Sequence, residues 1–144
     1  VIQDWVKKTA SINSVLDVAC GSGRNALFLS KLGFKVAAID ISGVALDHAR
    51  QNAKKQGLSV DWYEHDLEFG LPPELTNVFY DLIILIRYVD LDLIETLSTR
   101  LRNGGLLLIE EHLRWDYADD VIGPENSNYR VAPGILRKSV QNLV

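Results

Sequence analysis

The residues from 14 to 25, Ser-Val-Leu-Asp-Val-Ala-Cys-Gly-Ser-Gly-Arg-Asn, restrict what this chain can fold into more tightly than any other stretch. A short apolar run carries one acid, Asp17. It breaks into the turn Gly21-Ser22-Gly23 and passes at once into a helix-forming stretch. Glycines let the backbone turn sharply and let a ligand approach bare peptide groups. The helix start beyond the turn offers free N–H groups and a partial positive charge to a polar ligand. Strand, glycine turn and helix in this order read as a site for a nucleotide-type cofactor.

The bulk properties bound the rest. The chain has 144 residues, enough for one domain with a core and too few for two. It is 47% hydrophobic and 24% charged, as soluble globular proteins are, and its net charge is −4. Without a basic cluster, a nucleic-acid backbone is not an expected partner, because neutralising phosphates takes clustered Lys and Arg. A small anionic substrate needs only one or two cations and stays open. Cys20 is the single cysteine, which excludes an intrachain disulfide and a cysteine zinc cluster and fits a reducing, cytoplasmic setting. His48 and His65 have no partners at metal spacing, so no metal is expected. The start, Val1 to Trp5, has neither the basic flank nor the apolar run of a signal peptide. The longest apolar stretch, around Leu82 to Ile86, is far too short to span a bilayer, so no membrane partner is expected.

Strand and helix alternate along the chain, which predicts an α/β, doubly wound, Rossmann-like sheet with helices on both faces. Helices are expected at Ile2–Thr9, at Arg24–Leu32 before Gly33, and at Val44–Gln56, with Ser42 as N-cap and Gly57 past its end. Ala45, Ala49 and Ala53 recur every four residues, a face for close packing on the sheet. Strands are expected at Val15–Ala19, Lys35–Ile39, Val60–Glu64, Asp81–Ile86 and Leu106–Glu110. The fourth, apolar throughout after its Asp, reads as buried on both faces. Ile94, Leu97 and Leu101 form a helical stripe, with Arg100 and Arg102 in the last turn and Asn103-Gly104-Gly105 ending it. Pro72-Pro73 marks a loop, 111 to 128 reads as irregular, and Pro133-Gly134 opens a last helix to Leu143 with Pro near the first turn. Asp90, Asp92 and Asp119-Asp120 read as solvated.

Right-handed crossovers place a ligand crevice at the carboxyl ends of parallel strands, where the strand order reverses. The residues there are Cys20 to Arg24, Asp40-Ile41, Asp66-Leu67, Ile86 with Arg87-Tyr88, and Glu110 to His112. Asp40 follows Gly21 by 19 residues, close to the spacing of about 20 at which an acid meets ribose hydroxyls in dinucleotide folds. The bland role of an Asp here is to cap a helix. Asp66, one strand further on, is placed for an adenine amine, a need dinucleotide sites do not share; otherwise it is a solvated loop acid. Asp17, costly to bury unpaired, faces either a cationic amine or nearby backbone N–H groups. Together these acids favour S-adenosylmethionine over a dinucleotide.

Val15-Leu16-Asp17-Val18-Ala19-Cys20-Gly21-Ser22-Gly23-Arg24-Asn25-Ala26 resembles motif I of class I S-adenosylmethionine-dependent methyltransferases. Val36 to Ser42, Asp66-Leu67-Glu68, Phe79 to Ile84 and Leu101 to Glu110 resemble the next four motifs in order, from about Ser14 to Glu110 in all. Cys-Gly-Ser-Gly-Arg-Asn-Ala at 20–26, with Arg87-Tyr88 after strand four, is similar to the small tellurite-resistance and thiopurine-type methyltransferases. The resemblance implies Gly21, Gly23 and Arg24 around the methionine portion, Asp40 on the ribose and Asp66-Leu67 at the adenine. Asp17, Cys20, Ile41 and Ile86 complete the expected cofactor set, with S-adenosylhomocysteine as product. Trp62 or Tyr63 either flanks the adenine or packs in the core. The family's last two strands have no counterpart here, so a single domain over 1–144, incomplete at its C-terminus or covered there by another chain, is expected.

The expected activity is methyl transfer to a small-molecule acceptor. Candidate catalytic residues are His112 and Glu110, with Glu111 beside them, as general bases, and Arg87 holding an anionic acceptor; Arg130 is a second cation for that task. Tyr88 lines the pocket or packs. Two rival readings are a dinucleotide-binding oxidoreductase domain and a non-catalytic module that binds the cofactor and regulates a partner. Against the first stand Asp17, Asp66 and Ala26, the last in place of a third glycine.

Overall fold

β1 (Ser14–Val18) forms where apolar residues surround one acid. β2 (Lys35–Asp40) and β4 (Tyr80–Ile86) flank it in parallel. β3 (Asp61–Glu64) pairs with β2, and β5 (Leu101–Glu110) pairs with β4, also in parallel. The structure is a computed structural model and describes residues 13–114 and 122–143. The helix expected at Ile2–Thr9 and the pair Asp119-Asp120 lie outside these residues. The sheet order is β3-β2-β1-β4-β5, so it reverses between β1 and β4, and β5 is an edge among the described residues. This is the doubly wound, all-parallel α/β sheet that the strand–helix alternation predicts.

Side chains of a strand alternate between faces, and the two faces build two cores. On one face Leu16, Val18, Ile39, Ile83 and Leu85 meet Leu93, Ile94 and Leu97 of α3 (Leu91–Ser98). On the other, Val15, Val36, Ala38, Leu82 and Ile84 meet Ala26 and Leu29 of α1 (Arg24–Lys31). Leu82 to Leu85 are buried without a break, as a central parallel strand requires. Ser42 caps α2 (Gly43–Gln56) by accepting from the Ala45 N–H at 3.2 Å, and Gly57 ends it left-handed. Asp81 pins the start of β1: its Oδ2 accepts from the N–H groups of Asn13 and Ser14, both at 2.9 Å. Among the described residues no helix is long and apolar enough to cross a membrane.

The chain departs from expectation in three places. α3 stops at Ser98, not after Arg102, and β5 begins at Leu101. Ser98 and Thr99 hydroxyls donate to the carbonyls of Glu95 and Thr96, which satisfies the last turn, and the Tyr80 N–H then draws the Arg100 carbonyl into the ladder at 2.9 Å. Asn103-Gly104-Gly105 therefore ends no helix. It belongs to a bulge in which Tyr80 pairs with Leu101 and Leu82 with Leu106, and Arg102 lies 3.6 Å from Asp81. The final helix is only α4 (Ile135–Ser139), capped by left-handed Gly134, with a separate 3-10 turn at Gln141–Leu143. Pro133 precedes that cap and is not in the first turn. Asp90 is also no merely solvated acid, since its carboxylate caps α3 by accepting from the Leu93 N–H at 2.9 Å.

Gly23 shows how tightly the glycine turn is seated. It has φ 75°, and a Cβ there would stand 2.5 Å from Trp62 Cη2, 2.8 Å from Trp62 Cζ3 and 3.0 Å from Ala49 Cβ. Trp62 is thus packed beneath the turn. We expect Gly23→Ala to destabilise the fold by roughly 2–5 kcal/mol, combining left-handed strain with overpacking. Thermal unfolding checks this. Trp62→Phe, which trims the clashing ring, should cost less in the Gly23→Ala background than in the parent chain. Equal costs would refute the clash.

Candidate functional site

The site lies at the carboxyl ends of the strands and is assembled by Asp40. After β1 the backbone of Ala19 is left-handed, at φ 54°, a costly conformation for a residue with a Cβ. The Cys20 N–H still reaches the Ile39 carbonyl at 2.9 Å, and the Gly23 N–H closes the turn on the Cys20 carbonyl at 3.0 Å. The Gly21 N–H donates to Asp40 Oδ2 at 2.6 Å, and the Ser42 N–H donates to Asp40 Oδ1 at 2.9 Å. One carboxylate so ties the end of β2 to the glycine turn of β1 and to the start of α2.

Beneath the turn, Asp17 is 2% exposed and its Oδ2 has no hydrogen-bond partner. Burial pushes its carboxyl up to about 7; the Ala26 backbone N–H opposes this, the charge of Asp40 adds to it and that of Arg24 subtracts. The Cys20 thiol is pushed up as well, by burial and by the charges of Asp17 and Asp40, so it stays neutral.

Beside the turn is a cleft of about 280 Å3 whose walls include Ala19, Asp40, Ile41, Asp66 and Leu67. The His65 N–H continues the β2–β3 ladder to the Asp40 carbonyl at 3.0 Å. Asp66 Oδ1 then accepts from the Glu68 N–H at 3.0 Å and caps the 3-10 turn Leu67–Phe69. Asp66 is therefore fixed in place and not loosely solvated. His65, Glu68 and Tyr88 complete the lining. His65 carried no signal of its own beyond standing next to Asp66, and Glu68 only its place in the Asp66-Leu67-Glu68 motif. Trp62 and Tyr63 do not line the cleft and pack in the two cores. Ile86, at the end of β4, does not line it either.

The other end of the crevice is built differently. Arg87 is left-handed, at φ 61°, and its N–H donates to the Glu110 carbonyl at 2.8 Å. Its side chain lies 3.8 Å from Glu110, with both groups mostly exposed. Pairs of this kind contribute about 0–1 kcal/mol. His112 packs against the backbone at Gly123, and its carbonyl accepts from the Val131 N–H at 2.9 Å. Arg130, expected as a second cation for an acceptor, is already engaged by backbone carbonyls. Its guanidinium donates to the carbonyls of Pro124 at 2.7 Å, Leu113 at 2.9 Å and Ile122 at 3.1 Å, bracing the segments on either side of residues 115–121.

The structure thus gathers Asp40, Ile41, Asp66 and Leu67 around one cleft, with Cys20, Gly21 and Gly23 in the adjoining turn, Asp17 in β1 beneath it and Arg24 opening α1. Arg87, Glu110 and His112 stand apart at the β4–β5 end. The cleft lies just below the roughly 300–1,000 Å3 of whole small-molecule pockets, a size suited to a nucleoside portion of a ligand. Its acids present acceptors for hydroxyls and an amine. The orphaned oxygen of Asp17 offers a partner for a cationic group at the turn, so the residues present fit a nucleoside that carries positive charge.

Known proteins resemble this chain in sequence and fold. The family described as a methyltransferase domain matches residues 15–105. A ribosomal protein L11 methyltransferase from Symbiobacterium thermophilum is 32% identical over 108 residues, 72% of this chain and 34% of that protein. TehB from Haemophilus influenzae superposes with a TM-score of 0.80 over 97% of this chain and 49% of that one, at 24% identity, a likeness of fold. An S-adenosylmethionine-dependent methyltransferase from Clostridium acetobutylicum superposes with a TM-score of 0.63 over 75% of this chain and 46% of that one, at 26% identity. The chain spans about a third to a half of the length of these relatives. With the family's match running from the first strand into the fifth and the acids seated at the strand ends, the chain belongs to the class I S-adenosylmethionine-dependent methyltransferases.

Proposed function

We propose that this chain binds S-adenosylmethionine and supports transfer of its methyl group to a small-molecule acceptor. The observation that carries the reading is the double engagement of Asp40, which locks the glycine turn against the cleft that Asp66 lines. Asp40 would hold the ribose hydroxyls, Asp66 and Leu67 the adenine, and Gly21, Gly23 and Arg24 the methionine portion, with Asp17 facing its ammonium from below. When bound, the cofactor supplies a methyl group on a positively charged sulfur, an excellent leaving group.

The chain's own residues then have three tasks. They orient the cofactor, exclude water and leave the acceptor room at near-attack distance, a contribution worth up to about 7–11 kcal/mol in favourable cases. A general base is optional; His112 and Glu110 stand at the β5 end where an acceptor proton would leave, and Arg87 beside them would pair with an anionic acceptor. The similarity of residues 20–26 to the tellurite-resistance and thiopurine-type motif supports a small acceptor, and the single Cys20 supports a cytoplasmic setting. One relative's name specifies ribosomal protein L11, so a protein acceptor is the competing outcome.

Calorimetric titration with S-adenosylmethionine, NADH as comparator, is the test, followed by turnover with a panel of small thiols, amines and oxyanions and with a ribosomal protein. Micromolar binding of S-adenosylmethionine without an NADH response, and turnover of a small acceptor, are expected. Tighter NADH binding would overturn the cofactor, and turnover of the protein alone would overturn the acceptor class.

A further inference from the structure

We propose that Glu111 is a positioning residue for the cofactor cleft: its carboxylate stands in for a missing strand partner and holds Tyr88 in the wall of the cleft. The proposal rests on the reading of that cleft as the nucleoside site.

The β4–β5 ladder ends at the pair Ile86 and Glu110. One residue on, the backbone of Arg87 turns left-handed while its N–H is still held by the Glu110 carbonyl at 2.8 Å. The next N–H, that of Tyr88, meets a side chain instead of a strand carbonyl: it donates to Glu111 Oε1 at 2.8 Å. Two consecutive hydrogen bonds from the end of β5 therefore set the course of the chain where it leaves β4. A non-glycine residue stays left-handed only where its surroundings over-determine it, and the Glu111 carboxylate is one of those determinants.

The carboxylate is itself seated. Its second oxygen, Oε2, is buried without a partner, so the group cannot swing to solvent without leaving its place. Burial and the neighbouring charge of Glu110 raise its pKa, and the Tyr88 N–H opposes that. The residue it holds matters to the site, because Tyr88 lines the same cleft as Ala19, Asp40 and Asp66. Burial, with the charges of Asp90, Asp66 and Glu68, raises the Tyr88 hydroxyl. The path runs from β5 through one side chain to the backbone of Tyr88, and through its ring to the ligand.

The test is S-adenosylmethionine affinity at a temperature where every variant is folded, with thermal midpoints recorded alongside. Glu111→Ala should weaken binding about tenfold, the worth of one hydrogen bond to a charged acceptor. Glu111→Gln, whose amide oxygen can still accept from Tyr88, should stay within about threefold of the parent on the same scale. In a Tyr88→Ala background, where the N–H remains but the ring is gone, Glu111→Ala should cost little further affinity. If Glu111→Ala does not fold, Glu111→Asp, which keeps the charge and shortens the reach, carries the same comparison. A lower midpoint with parental affinity in Glu111→Ala would overturn the proposal by making the residue merely structural. Full additivity with Tyr88→Ala would overturn it by showing that Glu111 does not act through the tyrosine. Failure of the parent chain to bind S-adenosylmethionine would overturn the nucleoside reading, and the proposal with it.

Discussion

Asp40→Ala should lower S-adenosylmethionine affinity at least about 100-fold while leaving the chain folded. The carboxylate accepts from the Gly21 N–H at 2.6 Å and from the Ser42 N–H at 2.9 Å, and it lines the cleft. Hydrogen bonds to a charged acceptor contribute roughly 1.5–3 kcal/mol each, and about 2.7 kcal/mol is a factor of 100. Removing the acceptor releases the glycine turn and deletes the proposed partner of the ribose hydroxyls together. The β1 and β2 ladders and both cores are untouched, so the fold survives. Titration against the parent chain checks this, with far-UV circular dichroism confirming that the variant is folded. Affinity within a few-fold of the parent would mean that Asp40 serves only as a local cap and that the nucleoside lies elsewhere.

Asp17→Asn should stabilise the ligand-free chain near neutral pH and above, and change nothing in acid. The sign follows from the two states. Unfolded, the carboxyl titrates at 3.8; folded, burial and the charge of Asp40 push it up to about 7. Below about pH 4 both states hold the proton and the group is neutral to stability. As pH rises toward 7 the unfolded chain releases its proton while the folded chain keeps it, so stability falls. Above about pH 7 the full cost of a buried, half-satisfied carboxylate is present, roughly 4 kcal/mol at about 1.36 kcal/mol per pKa unit. An asparagine cannot ionise and still offers an acceptor to the Ala26 N–H, so it removes that cost. Thermal midpoints of both proteins across this range are the measurement. A flat profile for the parent, or no gain in Asp17→Asn above neutrality, would show that the carboxyl is not perturbed. The same substitution should weaken S-adenosylmethionine binding if, as proposed, the acid that destabilises the empty fold is the one that meets the cofactor's ammonium.

Much of the molecule could be read without coordinates. Short apolar runs separated by helical spacing force a parallel sheet, because the central runs are buried on both faces and no run can join its neighbour by a tight turn. Gly21, Asp40 and Asp66 follow those runs directly, so their place at the crevice comes from strand length alone. Ser42 and Gly57 act through local backbone chemistry and were legible for the same reason.

Other features depend on residues distant in the chain. Leu101 continues the helical stripe of Ile94 and Leu97, yet it belongs to β5, because the Tyr80 N–H takes the carbonyl of Arg100 into the ladder. Nothing near Arg130 announces that three carbonyls brace it, and nothing near Glu111 announces that it serves Tyr88. Ala19 and Arg87 are left-handed although neither residue type favours it; the bonds that hold the flanking segments come from β2 and β5. By itself, then, the sequence determined the architecture, the family and the acids at the strand ends, since these follow from local pattern and chain order. Only the tertiary structure decided where α3 yields to β5, which charges are already engaged and which side chains wall the cleft, because each of these is a competition between local preference and a partner supplied by another strand.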